Sequence, residues 1–275
     1  MSKQRRRPAI SYEEVAVSGL REKVAALPGT LGAWRAAKSL VDRLSGLPPI
    51  DYSTITGELI RSCVGKSDPV MLDVGCNDGE STLWFLDLFE SPTIYCFEPD
   101  PRAIGRFKKQ VPPNAPVTLF ELAISDHQGS VGFYQSGGRR DNKWLVEAMP
   151  EGWDLSGSIK EPYRHLDKHP FVTFEKKIQV ATATLDSVCE NHGIGPIDFL
   201  WLDVQGAEMD VFRGAPNTLA QTRFLYAEYS NRELYKGQSG LREIVKYLKD
   251  FSVVVRYEGD VLLRNDKLSP VPRQR

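Results

Sequence analysis

The sequence predicts an α/β fold built on a mostly parallel sheet, and three features of the chain lead to this prediction. From residue 70 onward, short apolar runs alternate with amphipathic stretches, the pattern of parallel strands joined by crossover helices. The first apolar run leads into a glycine-containing loop and then a helix. Near the end of the chain, two apolar runs flank Glu258-Gly259-Asp260, a turn suited to an antiparallel hairpin at the sheet edge.

Size and composition bound the class of protein. With 275 residues, 41% of them hydrophobic, the chain can bury the core of one large domain. Its 35 Lys and Arg residues nearly balance 36 Asp and Glu, so the net charge of -1 gives no general attraction for nucleic acid or an anionic membrane. No apolar run approaches the ~18 residues of a membrane-spanning helix. We therefore expect no nucleic-acid partner and no transmembrane segment.

The cysteines indicate the compartment. They are scattered without CxxC spacing, and no signal-peptide pattern precedes them. Reduced thiols in a cytoplasmic protein are therefore the expectation. The four are Cys63, Cys76, Cys96 and Cys189.

Residues 1–65 are predicted to form a basic tail followed by helices. After a basic cluster that ends at Pro8, Ser11 and Glu14 have the spacing of a helix capping box. Apolar residues then recur at helical spacing until Pro48 and Pro49. We expect these helices to pack on the following domain or to form a contact between copies of the chain, as in a homo-oligomer.

Residues 66–266 are predicted to form the main domain, followed by a flexible tail at 267–275. Its predicted strands lie at 70–74, 93–97, 117–122, 130–134, 171–180, 198–203, 224–229, 251–257 and 261–263. Its predicted helices lie at 80–90, 101–110, 185–191, 207–214 and 241–248. Residues 136–170 lack periodicity and are predicted to be a lid-like insertion, because long loops in compact domains are usually functional or disordered.

The loop after the first strand predicts a nucleoside site. Its glycine turn lies at the carboxyl edge of the sheet, where α/β folds bind ligands. Gly75 and Gly79 let the backbone approach a bound molecule. Glu98 follows Asp73 by 25 residues, at the end of the second strand, where an acidic side chain can accept from both ribose hydroxyls.

The residues of the loop distinguish between nucleosides. Asn77 stands where a nicotinamide-dinucleotide fingerprint needs a glycine, and Asp73 and Asp78 would repel a pyrophosphate. S-adenosylmethionine has no phosphate, and its amino group and sulfonium are cations that a carboxylate attracts. This cofactor is therefore favoured over a nicotinamide cofactor. After the third strand, Asp126 either accepts from the adenine amino group or forms a turn with Gly129.

Five ordered blocks resemble the FkbM family of S-adenosylmethionine-dependent methyltransferases. They are DVGCNDGEST at 73–82, FEP at 97–99, AISDHQG at 123–129, TLDS at 184–187 and IDFLWLDVQGAE at 197–208. The resemblance covers about residues 70–230. It implies a class I methyltransferase fold, a Rossmann-like seven-stranded sheet that is mostly parallel, with an antiparallel C-terminal hairpin. It also implies methyl transfer, mostly to oxygen, on sugar or polyketide-type acceptors.

The resemblance implies roles for individual residues, and this sequence departs from the family pattern at two positions. The implied cofactor-binding residues are Asp73, Gly75, Asn77, Gly79, Thr82, Glu98, Pro99, Ser125 and Asp126. The family commonly has Lys-Ile-Asp-Val-Glu-Gly, and here Trp201 and Gln205 stand at its Lys and Glu positions. The departures affect the acceptor side more than the cofactor side.

A sugar hydroxyl is a poor nucleophile at neutral pH, so a base or a divalent metal near it would help. Asp203 and Glu228 end adjacent predicted strands, and both are candidate catalytic carboxylates. With Asn231 they offer oxygen ligands suited to Mg²⁺. The alternatives are that Asp203 caps the next helix and that Glu228 pairs with Arg232.

A histidine of the insertion is the first candidate for the base. In FkbM relatives a serine-rich stretch and a histidine occupy this region, resembling Ser156-Gly157-Ser158 and His165. The aromatic residues of the insertion either stack on sugar rings or pack the lid onto the domain. These are Trp144, Trp153 and Tyr163.

Together these features predict a cytoplasmic S-adenosylmethionine-dependent O-methyltransferase that acts on a hydroxyl of a sugar or glycan. A small-molecule natural product is the alternative acceptor. If Trp201 and Gln205 mark a degenerate site, the chain would instead be a cofactor-binding interaction module. A nicotinamide oxidoreductase is a more distant alternative.

Overall fold

The computed structural model describes residues 46–138 and 152–268. The helices are α1 Gly57–Val64, α2 Glu80–Leu88, α3 Pro101–Gln110, α4 His165–Lys168, α5 Leu185–His192, α6 Glu208–Arg213, α7 Pro216–Ala220 and α8 Leu241–Tyr247. The strands are β1 Val70–Val74, β2 Thr93–Phe97, β3 Val117–Phe120, β4 Ala123–Ile124, β5 Gly129–Gly138, β6 Val172–Ala183, β7 Ile197–Leu202, β8 Thr222–Glu228, β9 Phe251–Arg256 and β10 Asp260–Asn265. The predicted helices before residue 46 and most of the predicted tail lie outside the described residues.

The main sheet has seven strands in the order β3-β2-β1-β7-β8-β10-β9. The pairs from β3 to β8 are parallel, and β10 runs antiparallel to both β8 and β9. This is the predicted class I methyltransferase sheet with its C-terminal hairpin, so the fold-class prediction is confirmed. The chain order reverses between β1 and β7, and ligands bind at such a switch point, outside the carboxyl ends of the strands.

Parallel strands buried on both faces explain the near-continuous apolar runs of the sequence. Because side chains alternate between faces, the strand register sorts them into two rows. One row, with Leu72, Leu200 and Leu225, packs into the core on one side of the sheet. The next row packs into the core on the other side and contains Met71, Phe199 and Phe224.

Helix ends follow the capping residues of the sequence. The Thr184 hydroxyl accepts from the Ser187 backbone N–H at 3.1 Å at the start of α5. Asp100 caps α3 in the same way, with Pro101 at the first helical position. The short helix α7 was not predicted, because five residues after Ala215 give no periodic signal. No helix in the described ranges is long and apolar enough to cross a membrane.

A second sheet, in the order β4-β6-β5, was not predicted as a sheet. The β5 and β6 strands form a long antiparallel pair that extends past the predicted strand at 130–134. The full length of β5 was not predicted because this strand contains several glycines, and glycine is depleted in strands. At Gly138 the backbone has φ +103°, and a side chain there would overlap the Phe171 carbonyl oxygen. The predicted lid-like insertion, which starts at residue 136, thus begins within the far end of a β-ribbon whose register shifts between Gln135 and Gly137.

Gly75 sets how closely β1 approaches the central strand β7. Its φ is +87°, and an added Cβ would overlap the Asp203 carbonyl oxygen. Gly65 has a similar φ of +69°, but nothing lies within 4 Å of an added Cβ there. A substitution at Gly65 therefore carries only the cost of a left-handed backbone, whereas a substitution at Gly75 carries that cost and a steric clash.

We predict that Gly75→Ala lowers the free energy of unfolding more than Gly65→Ala. The Gly65 variant should lose about 1–2 kcal/mol from its left-handed backbone alone, whereas Gly75→Ala adds the clash with Asp203. Urea denaturation of both variants and the wild-type protein measures this. Equal losses would show that the contact between Gly75 and Asp203 is not as close as described.

Candidate active site

A cavity of about 730 Å³ lies at the carboxyl ends of the parallel strands. We call the part lined by Gly75–Asp78, Glu98 and Pro99 the loop end. The part lined by Asp203, Glu228 and Asp260 is the carboxylate end. Residues 153–159 lie across the cavity and are called the roof segment. The candidate site therefore lies at the carboxyl edge of the sheet, where the sequence predicted a ligand site, and it occupies the switch point between β1 and β7.

The glycine loop turns sharply at the loop end. The backbone N–H groups of Gly75 and Cys76 donate to the Phe97 carbonyl oxygen at 2.9 and 3.1 Å. Gly79 has φ +90° and Asn77 has φ +46°, which asparagine tolerates better than most residues. The Asn77 Oδ1 atom accepts from the Asp78 backbone N–H at 2.8 Å and so stabilises this turn.

Glu98 lies directly against this loop. Its Oε2 atom accepts from the Asn77 backbone N–H at 2.9 Å, and its Oε1 atom accepts from the Asp100 backbone N–H at 2.7 Å. The side chain is only 5% exposed, and this burial raises the pKa of Glu98 to about 8. Each carboxylate oxygen has two acceptor positions, so each keeps one for a ligand hydroxyl.

Asp73 and Thr82 are placed behind the loop and do not line the cavity. Asp73 Oδ2 accepts from the Ser81 and Thr82 hydroxyls at 2.7 and 2.6 Å, which ties the first turn of α2 to the end of β1. Its Oδ1 atom has no hydrogen-bond partner among the described residues. Complete burial raises the pKa of Asp73 to about 6.

Ser125 and Asp126 also lie outside the cavity lining. Asp126 is exposed, and its Oδ1 atom is hydrogen-bonded to His127 Nδ1 at 2.6 Å, which lowers the pKa of Asp126. The apolar residues just before them line the cavity instead. The structure therefore does not bring the predicted adenine contact to the site. The lining residues here are Leu122, Ala123, Ile124 and Phe133.

Gln205 connects the two acids of the carboxylate end. Its Nε2 atom donates to Asp203 Oδ1 at 2.7 Å and to Glu228 Oε2 at 2.8 Å. The Tyr235 hydroxyl donates to the Ser156 carbonyl oxygen at 2.8 Å and contacts Gln205 Oε1 at 3.2 Å. Gln205 has φ +51°, an uncommon backbone for a residue other than glycine. Neighbours on every side thus fix the orientation of its amide.

Burial and mutual repulsion determine which acid holds a proton. Burial, then the charge of Asp203, raises the pKa of Glu228 well above its ordinary value. Burial also raises the pKa of Asp203, but hydrogen bonds from Gln205 and Glu228 oppose this rise. Burial thus favours a proton on this coupled pair, and the larger rise at Glu228 favours Glu228 over Asp203 as the group that holds it.

His165 is placed away from the cavity. It is 2% exposed, in α4, and its ring packs against Phe174 and Tyr235 with centroid distances of 5.1 and 5.3 Å. Burial lowers the pKa of His165 to about 3. The predicted base is thus separated from the site by Tyr235, and Lys168 and His169 line the cavity in its place.

The three predicted Mg²⁺ ligands do not fit a cation. The Gln205 amide N–H groups occupy the position between Asp203 and Glu228, so an N–H donor stands where a cation would bind both acids. Asn231 Oδ1 accepts from the Leu241 backbone N–H at 3.3 Å, and Asn231 does not line the cavity. Within residues 46–138 and 152–268, no three His, Cys, Asp or Glu side chains are grouped so as to hold a metal.

The roof segment was predicted as part of a lid, but its attachments were not. Asp154 Oδ2 accepts from Arg106 Nη2 at 2.5 Å, and the same nitrogen donates to Asn77 Oδ1 at 3.3 Å. At the other end, the Ser158 hydroxyl donates to the Gln205 carbonyl oxygen at 2.7 Å. The roof segment is thus fixed to both ends of the cavity. These contacts join residues far apart in sequence, which no local pattern reveals.

The aromatic residues proposed for the lid have separate positions. The Trp153 ring packs edge-on against Phe171, the residue before β6, with 5.1 Å between the ring centroids. Tyr163 is exposed and does not line the cavity, and Trp144 lies outside the described residues. The aromatic side chains at the carboxylate end come from the sheet and from α2, and they were not predicted. These are Trp84, Trp201, Tyr226 and Tyr257.

Comparison with known proteins gives consistent matches. The model of the methyltransferase FkbM domain matches residues 73–255. The 2-O-methyltransferase NoeI of Sinorhizobium fredii is 47% identical over 213 residues, which cover 76% of this chain and 84% of that protein.

Solved structures give more distant matches. The methyltransferase FkbM structure from Methylobacillus flagellatus has a TM-score of 0.47 and 12% identity, and the match covers 72% of this chain. It covers 44% of the other chain, so the present chain spans less than half of that protein's length. A methyltransferase from Geobacter sulfurreducens has a TM-score of 0.40 and 16% identity, with 90% and 96% of the two chains covered.

We predict that stability without ligand falls as the pH rises from about 5 to about 8. Glu98 has a pKa of about 8 when folded against an ordinary 4.5, so the folded state keeps a proton that the unfolded state releases. Its contribution is complete below pH 4.5 and is lost as the pH rises through about 8. Urea denaturation across this range measures the slope.

The matched variants are Glu98→Gln and Glu190→Gln. Glu98→Gln should flatten the decline in part, since Asp73 and Glu208 also have raised pKa values of about 6 and about 7. Glu190 is exposed, and its variant should keep the wild-type slope. Identical slopes for the two variants would contradict the raised pKa of Glu98.

Proposed function

Because the chain belongs to the FkbM methyltransferase family, we propose that it transfers the methyl group of S-adenosylmethionine to a hydroxyl of a sugar or glycan. One observation carries the proposal: a single cavity has a ribose-type carboxyl group, that of Glu98, at one end and Asp203, joined to Glu228 through the Gln205 amide, at the other. The curated relative is named a 2-O-methyltransferase, which supports oxygen as the methyl acceptor.

The residues of the loop end fit the cofactor. Glu98 keeps acceptor positions for the two ribose hydroxyls, and the backbone of Gly75 and Asn77 borders the same space. Two buried carboxylates nearby keep an oxygen without a partner among the described residues, Asp73 Oδ1 and Asp154 Oδ1. An excess of carboxylates suits a positively charged nucleoside and would repel a pyrophosphate.

Of the remaining residues in the predicted cofactor set, Pro99, Gly79 and Thr82 have a role in this proposal, and Ser125 and Asp126 do not. Pro99 and the apolar residues 122–124 line the cavity. In this proposal they border the adenine ring, and they take the place of Ser125 and Asp126. Gly79 and Thr82 do not line the cavity but support the loop. Gly79 immediately precedes α2, and the Thr82 hydroxyl donates a hydrogen bond to Asp73. When bound, the cofactor supplies a methyl group on a positively charged sulfur, which leaves as a neutral thioether.

Asp203 accepts the proton of the acceptor hydroxyl. With the cofactor bound, the Asp203 carboxylate would take up the proton that the acceptor hydroxyl loses, which leaves the oxygen free to accept the methyl group. Glu228 keeps its own proton and orients Asp203, while Gln205 holds both. The remaining catalysis is the positioning of the hydroxyl against the methyl group. The residues do not fit a metal, and no step uses one.

The test of the function combines binding and turnover. Calorimetric titration should show binding of S-adenosylmethionine and S-adenosylhomocysteine and none of NAD. A panel of glycans and of non-sugar hydroxyl compounds, assayed for methylation, then identifies the acceptor class. Methylation confined to non-sugar hydroxyls would favour the natural-product alternative. Cofactor binding without turnover on any acceptor would favour a binding module.

We predict that Glu98→Ala weakens the binding of S-adenosylhomocysteine by about 5- to 150-fold, the equivalent of ~1–3 kcal/mol for two hydrogen bonds of ~0.5–1.5 kcal/mol each. The loss follows from the missing ribose contacts. Glu190→Ala removes the same side chain from an exposed helix position and should leave the affinity unchanged. Calorimetry with both variants measures the difference. An unchanged affinity for Glu98→Ala would refute the ribose role.

We predict unequal effects for the two acids of the carboxylate end. Asp203→Asn removes the proton acceptor and should lower kcat by about 10²- to 10⁴-fold. Glu228→Gln keeps an N–H donor beside Asp203, as the protonated Glu228 does, and should lower kcat much less. Both variants should retain the affinity for S-adenosylhomocysteine. If Glu228→Gln were the more damaging change, Glu228 would be the base.

A further inference from the structure

The strand register places an aromatic row beside the acidic row of the carboxylate end. Trp201 on β7 is directly opposite Tyr226 on β8. Two residues further along the same strands, and therefore on the same face of the sheet, stand Asp203 and Glu228. On β10, Asp260 is opposite Glu228 and extends the acidic row. The sheet edge thus offers aromatic rings next to hydrogen-bond acceptors.

Four aromatic residues form what we call the aromatic wall: Trp84, Trp201, Tyr226 and Tyr257, all of which line the cavity. The rings of Trp201 and Tyr226 are stacked at 4.2 Å with an angle of 24° between them. Trp84, from α2, meets Trp201 edge-on at 6.0 Å. Trp84 and Trp201 are only half-buried, so part of each indole ring faces the cavity.

The charges around the aromatic wall narrow the choice of ligand. Glu228 and Asp260 lie beside it, Glu258 follows Tyr257, and Lys168 is the one lysine or arginine in the cavity lining of the described residues. Apart from Lys168, the charged side chains that line this end among the described residues are acidic, so an anionic ligand would be repelled here. The wall therefore suits a ligand with one apolar face, several hydroxyl donors and no negative charge.

We propose that the aromatic wall is the acceptor subsite and that it binds an uncharged pyranose ring. The apolar C–H groups of the ring pack on the exposed parts of the Trp84 and Trp201 indoles, one by its face and the other by its edge because the two indoles are nearly perpendicular. The ring hydroxyls point along the sheet edge to the acidic row, where Asp203 accepts from the reacting hydroxyl. This inference rests on the proposed function, because it places the sugar of that reaction.

The test uses steady-state kinetics with a neutral glycoside that the wild-type protein methylates. Trp201→Leu should raise KM for the glycoside by tenfold or more, with the affinity for S-adenosylhomocysteine unchanged. Trp84→Leu, from α2, should act in the same direction and serves as an independent variant if Trp201→Leu does not fold. Tyr247→Leu, an exposed aromatic residue outside the cavity lining, is the control and should keep the wild-type KM.

A second arm needs no variant. The wild-type protein should methylate the neutral glycoside at least tenfold more efficiently, by kcat/KM, than the glycoside whose sugar is oxidised to the uronate. Equal efficiencies would overturn the exclusion of anionic sugars. A KM within twofold of wild type for both tryptophan variants would overturn the subsite while leaving the proposed function standing. If the wild-type protein methylates only non-sugar hydroxyls, the proposed function fails and the subsite falls with it.

Discussion

The close approach of Gly75 to the Asp203 carbonyl group is the constraint on which the site depends. β1 and β7 are neighbours at the switch point, and the Asp203 backbone N–H donates to the Val74 carbonyl oxygen at 2.9 Å. Only a residue without a side chain fits between them, since any Cβ would overlap the carbonyl oxygen. The loop proposed to border the cofactor and the acid proposed to act on the acceptor are therefore held side by side by contact between their backbones.

Buried negative charge is the second constraint, and hydrogen bonds make it tolerable. A buried carboxylate is costly unless it is paired or protonated. At the loop end, backbone N–H groups satisfy Glu98 in part. At the carboxylate end, the Gln205 amide donates to both Asp203 and Glu228, and burial raises the pKa of both acids, which favours a proton on the pair. The same arrangement keeps Asp203 at the cavity, where the proposed reaction needs a proton acceptor.

Much of the fold could be predicted from the sequence, because buried parallel strands leave continuous apolar runs and each run is followed by a loop or helix signal. The positions of Glu98, Asp203 and Glu228 at strand ends follow from the same pattern. The roles of His165 and Asn231 could not be judged, because burial behind Tyr235 and the bond to Leu241 depend on packing between distant segments. The Trp201-x-Asp203 and Tyr226-x-Glu228 pairs were visible in sequence, but their register was not.

The most direct test of this account is a crystal structure of the complex with S-adenosylhomocysteine. The account predicts ribose hydroxyls on Glu98, the sulfur atom on the side of Asp203, and the aromatic wall left open for the acceptor. A nucleoside seated on Trp201 and Tyr226, or a sulfur atom directed away from Asp203, would contradict it.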